Sequence, residues 1–170
     1  MSEVERRLIT SGSFCDVECA VLADGITSPS ATFLDQLAAG TPDPTSAPDM
    51  EMDEQINSAD WIEAACAHLA GYGGFPGPRD HNQLRDGIWE IKHLNIRMTF
   101  YDTDGYGRFD PKINFEGSGF FGMPPGLPDL DEYVRLATGF IKPPSVRKTP
   151  PYEISRARAV RREDISHDRV

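Results

Sequence analysis

The stretch that decides the fold is Gly87 to Tyr101, GIWEIKHLNIRMTFY. Between Gly87 and Leu94, the side chains Ile88, Glu90, Lys92 and Leu94 alternate with Trp89, Ile91 and His93, which is the two-residue period of a strand. Asn95 is read as the turn residue. From Ile96 to Tyr101 the alternation resumes, with Arg97, Thr99 and Tyr101 on one face and Ile96, Met98 and Phe100 on the other. Asp102 to Gly105 ends the second strand. The pair is expected to form a hairpin with one apolar face and one face carrying Glu90, Lys92 and Arg97. The plainest reading of those three charges is a cross-strand ion-pair ladder on the solvated side.

Towards the C-terminus comes residues 106–128, YGRFDPKINFEGSGFFGMPPGLP, longer than a hairpin loop requires. Its Phe109, Phe115, Phe120 and Phe121 suggest either a loop packed on itself or an interaction surface. Leu136 to Ile141, LATGFI, has the bulk of a buried strand end, and Lys142 stands at its exit. PPSVRKTPP then cannot continue a strand, so a rigid loop carries Arg147 and Lys148. Thr149 and Pro150 read as an N-cap and first helical position, with Glu153 in the first turn and a helix running to about Asp164. Ile154, Ala157, Val160 and Ile165 form a narrow apolar stripe on it, and Arg156, Arg158, Arg161 and Arg162 occupy the remainder. Arginine in such number suits bidentate contacts to phosphate or carboxylate, although a solvated basic helix end reads the same way.

Towards the N-terminus, Phe14 to Leu22 reads as a first strand, and Asp24-Gly25 as a turn. Ser28-Pro29 caps a short helix in which Phe33, Leu34 and Leu37 have helical spacing, and Gly40 ends it. Residues 40–54, GTPDPTSAPDMEMDE, are rich in proline and acid and read as a surface excursion. Ile56 to Ala70 reads as a second helix with Ser58 as a possible cap, and GYGGFPGPRDHNQ (71–83) as irregular.

The 170 residues, 39% hydrophobic, suit one domain. MSEVERRLIT lacks an apolar signal core and no run of about 18 apolar residues occurs, so a cytoplasmic protein without a membrane partner is expected. Cys15, Cys19 and Cys66 read as small buried residues, and the four histidines lack ligand spacing, so no metal and no cofactor are expected. The formal charge is −10, distributed as −11 over residues 1–84, −3 over 85–139 and +4 over 140–170. Long-range steering of bare nucleic acid is therefore unfavourable, and any RNA contact has to be local or assisted by a larger partner.

LRDGIWEIKH, IRMTFY, GFIK and RKTPPYEISRARAVRRED, in this order, resemble the RelE/HigB-type toxin superfamily, in particular its phage-derived HigB-like branch. The match lies in residues 84–101 and 139–164, and residues 14–70 agree in element order alone. The resemblance implies an α+β fold, a small antiparallel sheet packed by two N-terminal helices and a basic C-terminal helix, in one domain with insertions at about 40–55 and 106–133. It also implies a toxin of a type II toxin-antitoxin system that inhibits translation as a ribosome-dependent mRNA endoribonuclease. Its partners would be a helix-turn-helix antitoxin, the ribosome and mRNA. In that chemistry the ribose 2′-hydroxyl attacks the adjacent phosphate without need of a metal, and cations stabilise the phosphorane. Motif by motif, Lys92, Arg97, Lys142 and Lys148 take the catalytic positions. Arg147, Arg156, His93 and Tyr101 are further candidates for holding RNA or phosphate. The family's toxins are usually basic and short, whereas this chain is acidic and carries two excursions. A catalytically inactive, phage-encoded interaction protein that occupies a host protein is the second reading, with the gyrase-poisoning branch beside it.

Overall fold

The alternation from Gly87 to Tyr101 folds as the expected hairpin, and the sheet is assembled around it. The computed structural model describes residues 4–40, 50–109, 111 and 127–168. In chain order these form β1 (Leu8–Ser11), β2 (Asp16–Cys19), α1 (Pro29–Ala39), α2 (Met52–Tyr72), β3 (His81–Gln83), β4 (Trp89–His93), β5 (Ile96–Thr103), β6 (Tyr133–Ile141) and α3 (Pro151–Ser166). The architecture is α+β.

The sheet has six strands in the order β1-β2-β6-β5-β4-β3. It is mixed rather than small and antiparallel, because β2 pairs with β6 in parallel while the other neighbours are antiparallel. Two strands lie where none was expected, β1 at the N-terminus and β3 inside the stretch read as irregular. Both are short, and neither carries an apolar alternation of its own. The first strand is confined to Asp16–Cys19, α2 starts at Met52 instead of Ile56, and β6 starts three residues before Leu136. Ser58 is not a cap but a buried mid-helix residue whose hydroxyl donates to the Glu54 carbonyl at 2.6 Å. Of the acidic excursion, residues 41–49 lie outside the described residues, as do Phe115, Phe120 and Phe121 of the Phe-rich stretch.

The two faces of the hairpin separate as the alternation requires. Trp89, Ile91, Ile96, Met98 and Phe100 join Val17, Cys19, Val134 and Leu136 beneath α1 and α2, whose Phe33, Leu34, Leu37, Ile62, Cys66 and Leu69 complete this core. All three cysteines are buried and unpaired. On the other face Ile88, Tyr101 and Ala137 pack against Ala157, Val160 and Ile165 of α3. Burying a side chain of this size contributes about 1.5–3 kcal/mol, so the apolar stripe alone gives α3 a firm seat.

A polar cluster fixes the far end of the same helix. Asp164, fully buried, accepts from Arg6 Nε and Arg135 Nη1 at 2.8 Å each, from the Val21 amide at 2.9 Å, and from the Tyr101 hydroxyl. Arg135 is also bound by Glu18 at 2.8 Å and by Asp168. Burial alone would raise the Asp164 carboxyl, but Arg135 and Arg6 outweigh it and hold it below the usual carboxylate range. One carboxylate thus ties the N-terminal arm, β2's exit, β5, β6 and α3 together.

The start of α3 departs from the expected cap. Pro150 stands at the N-cap with no side-chain bond to the helix, and Thr149 points elsewhere. Its destination is part of the candidate site.

Candidate functional site

On the face that α3 covers, the helix leaves one end of the sheet open. There the β4–β5 hairpin sets Lys92 directly opposite Arg97, and Arg97 opposite Phe140 of β6. The register between β5 and β6 shifts between Met98 and Phe100. Beyond that shift Gly139 lies against Phe33 of α1, and Lys142 reaches the open face.

The resulting pocket has a volume of about 430 Å³. Six cationic side chains line it, Arg85, Lys92, Arg97, Lys142, Arg147 and Lys148, with Glu90 the single acid among the described lining residues. The four residues that motif matching singled out are therefore brought together, and Arg147 joins them. In a chain of net charge −10 this is a local inversion of sign.

Two of these cations, Arg97 and Lys142, are held by identifiable partners. Arg97 Nη1 donates to the carbonyls of Leu94 and Ile96, both at 2.8 Å, which fixes the guanidinium across the hairpin end. Its Nε edge faces Glu90 at 3.8 Å, an ion pair beyond hydrogen-bond reach. Lys142 Nζ donates to the carbonyls of Val146 at 2.5 Å and Arg147 at 3.2 Å, so this lysine closes the loop that carries Arg147 and Lys148. The Val146 amide bonds back to the Pro143 carbonyl at 3.0 Å, tightening the same loop.

Glu90 is 1% exposed, not a member of a solvated ladder. Its Oε1 accepts from Asn82 Nδ2 at 3.1 Å and its Oε2 from the Thr149 hydroxyl at 2.6 Å. This is where Thr149 is used in place of capping α3.

The electrostatics follow from crowding. Burial lowers the pKa of Lys92, Arg97 and Lys142 adds to the lowering, and Glu90 opposes it. Lys142 is lowered by burial and by Arg97, again against Glu90. Arg97 is lowered by burial, with Glu90 opposing. Like charges directly opposite on paired strands are destabilising, so this arrangement is one that an incoming anion would relieve.

Three candidates are elsewhere. Tyr101 does share the Arg97 face, but α3 covers that end of the strand, and its hydroxyl is engaged by Asp164. Burial, then Asp164, raise its pKa well above the ordinary phenol value. His93 lies on the opposite face, its ring stacked on Trp61 of α2 with centroids 4.2 Å apart, and burial lowers its pKa. Arg156 pairs with Glu153 at 2.9 Å and lines a separate cavity between α1 and the start of α3. Two more helix arginines are also occupied, Arg158 by Asp86 and Arg161 by the Asp86 carbonyl and the Phe109 ring.

Sequence reading missed Arg85, Asn82 and the buried role of Glu90. Arg85 sits two residues after β3, a strand that was not foreseen, so nothing local marked it as facing the hairpin. No group of three or more His, Cys, Asp or Glu placed to hold a metal ion occurs among the described residues. No helix among them is long and apolar enough to cross a membrane. No protein-family model matches the chain, and no curated protein matches it.

Proposed function

We propose that this chain is a RelE/HigB-like toxin that cleaves mRNA on the ribosome, using the cationic pocket at the open end of the sheet. The observation that carries the reading is the convergence of Lys92, Arg97, Lys142, Arg147 and Lys148, from two strands and a loop, around one concavity. Groups that stabilise a phosphorane have to meet at it.

In this reading the ribose 2′-oxygen forms a bond to phosphorus as the bond to the 5′-oxygen breaks, leaving a cyclic phosphate and a 5′-hydroxyl. Lys92 takes the 2′-hydroxyl proton, because its lowered pKa gives it a larger neutral fraction than an ordinary lysine. Lys148 gives a proton to the departing 5′-oxygen. Arg97, braced on two carbonyls, offers its remaining N–H groups to the charged oxygens without reorganising. Lys142 acts through the loop it closes, and Arg147 meets a neighbouring phosphate. The net charge of −10 makes free RNA a poor substrate and assigns presentation of the message to the ribosome. A cytoplasmic site of action and a helix-turn-helix antitoxin belong to the same reading.

The test is mapping of 5′ ends in messages from cells expressing the protein. New ends are expected with the wild type and not with Arg97→Ala, for which a rate loss of roughly 30- to 1,000-fold corresponds to about 2–4 kcal/mol of transition-state stabilisation. Circular dichroism checks that the variant is folded. The acidic balance of residues 1–84 favours one rival, the inactive scaffold that binds a host protein. Intact messages together with growth arrest that Arg97→Ala does not relieve would select that rival.

A further inference from the structure

Glu90 is a buried carboxylate whose partners come from three separate parts of the chain: Asn82 of β3, Arg97 of β5 and Thr149 of the loop before α3. A purely electrostatic counter-ion would need no such set of bonds, and a purely structural one would have no reason to sit as the lone described acid in a wall of six cations. The 142–149 segment makes a further side-chain anchor of its own, Lys142 Nζ on the Val146 and Arg147 carbonyls, but that bond closes the loop on itself. The Thr149 to Glu90 bond instead ties the loop across the pocket to β4.

We infer that Glu90 is the positioning residue of this pocket, fixing the Arg147–Lys148 loop against the sheet and holding Lys92 and Arg97 at the charge balance the site needs. The inference deepens the phosphoryl-transfer reading and rests on it for the identity of the anion. Two physical functions are joined in one side chain. Oε2 sets where Lys148 stands, because Thr149 is its immediate neighbour in the chain. The negative charge raises Lys92 against burial and against the described cations that lower it: Arg97 from β5, Lys142 from the end of β6 and Arg79 from the segment before β3. Without that charge, Lys92 would lose its proton at a lower pH still.

The two functions are separable by substitution. Thr149→Val removes the tie and leaves the charge, whereas Glu90→Gln removes the charge and leaves an amide able to bond Thr149 or Asn82. Two measurements on the full chain read them out: titration with inorganic phosphate followed by amide shifts, and the pH profile of Lys92 labelling by an amine reagent. Thr149→Val is expected to weaken phosphate binding about three- to tenfold, the effect of one hydrogen bond, with the Lys92 profile unmoved. Glu90→Gln is expected to move the Lys92 profile to lower pH. If both variants keep wild-type phosphate affinity and the Lys92 profile stays in place while thermal stability falls, Glu90 is only structural and the inference is overturned. Should Glu90→Gln not fold, a Thr149→Val protein with unweakened phosphate binding overturns the loop-fixing role by itself. A wild-type protein whose pocket amides ignore phosphate refutes the phosphoryl-transfer reading instead, and the Lys92 profile then still decides the charge-setting role.

Discussion

Asp164 offers the sharpest test of how the fold is held. Replacing it by alanine leaves Arg135, Arg6, the Tyr101 hydroxyl and the Val21 amide without their common acceptor, in a site where Asp164 itself is fully buried. Breaking a buried ion pair by removing one partner costs about 3–5 kcal/mol. Arg135 keeps Glu18 and Asp168, and Arg6 keeps Asp168 at 3.1 Å, so the lower end applies. A loss of about 3 kcal/mol corresponds to a fall in Tm of about 6–12 °C for a chain of this size. The pH dependence follows from the direction of the shift. A carboxyl whose pKa is depressed on folding adds stability that is present above its unfolded pKa, about 4, and is lost as pH falls through the lower folded value. The gap between wild type and Asp164→Ala should therefore be full at pH 7 and narrow steadily below about pH 4. Urea denaturation of both proteins across this range measures it. A cost under about 1 kcal/mol at pH 7, or a gap that does not change with pH, would refute the claim that a charged Asp164 organises the cluster.

Two further substitutions probe the sheet. A Cβ built on Gly139 would lie 2.0 Å from the Phe33 ring, so Gly139→Ala should cost about 1–3 kcal/mol in chemical denaturation, and adding Phe33→Leu should return part of it, because the two sites couple directly. Leu94 holds φ at 53° in the β4–β5 turn and is 60% exposed, so Leu94→Asn should raise stability by about 0.5–1 kcal/mol by relieving left-handed strain. No gain would mean that the turn does not carry that strain.

What was legible in the sequence is what depends on neighbours in the chain. The hairpin at 89–103 announces itself because alternation on both sides of a two-residue turn fixes partner and face at once. Gly40 as the end of α1 and Ser28 as its cap are equally local. The parallel joint between β2 and β6 was not legible, since it links Asp16–Cys19 to Tyr133–Leu136 across most of the chain and neither segment names the other. The site was half visible for the same reason. Lys92 and Arg97 share a face by alternation, and Lys142 follows at the end of the adjacent strand. Which end of that face α3 would cover was not visible, so Tyr101 looked as accessible as Arg97. The arginines of α3 looked like a basic surface, yet several are paired with Asp86 or Glu153. Charge type can be read from a sequence, but its neutralisation depends on packing.

The parallel joint also has a kinetic consequence. A two-residue turn brings β4 and β5 together with little loss of chain entropy, so the strand pair that presents Lys92 and Arg97 is cheap to form early. The β2–β6 ladder has four paired residues and must close a loop of more than a hundred before it gains anything. That closure is the slow step the topology dictates. Substitutions in β2 or its partner stretch of β6 then change the folding rate, whereas substitutions that only loosen α3 on the finished sheet change the unfolding rate.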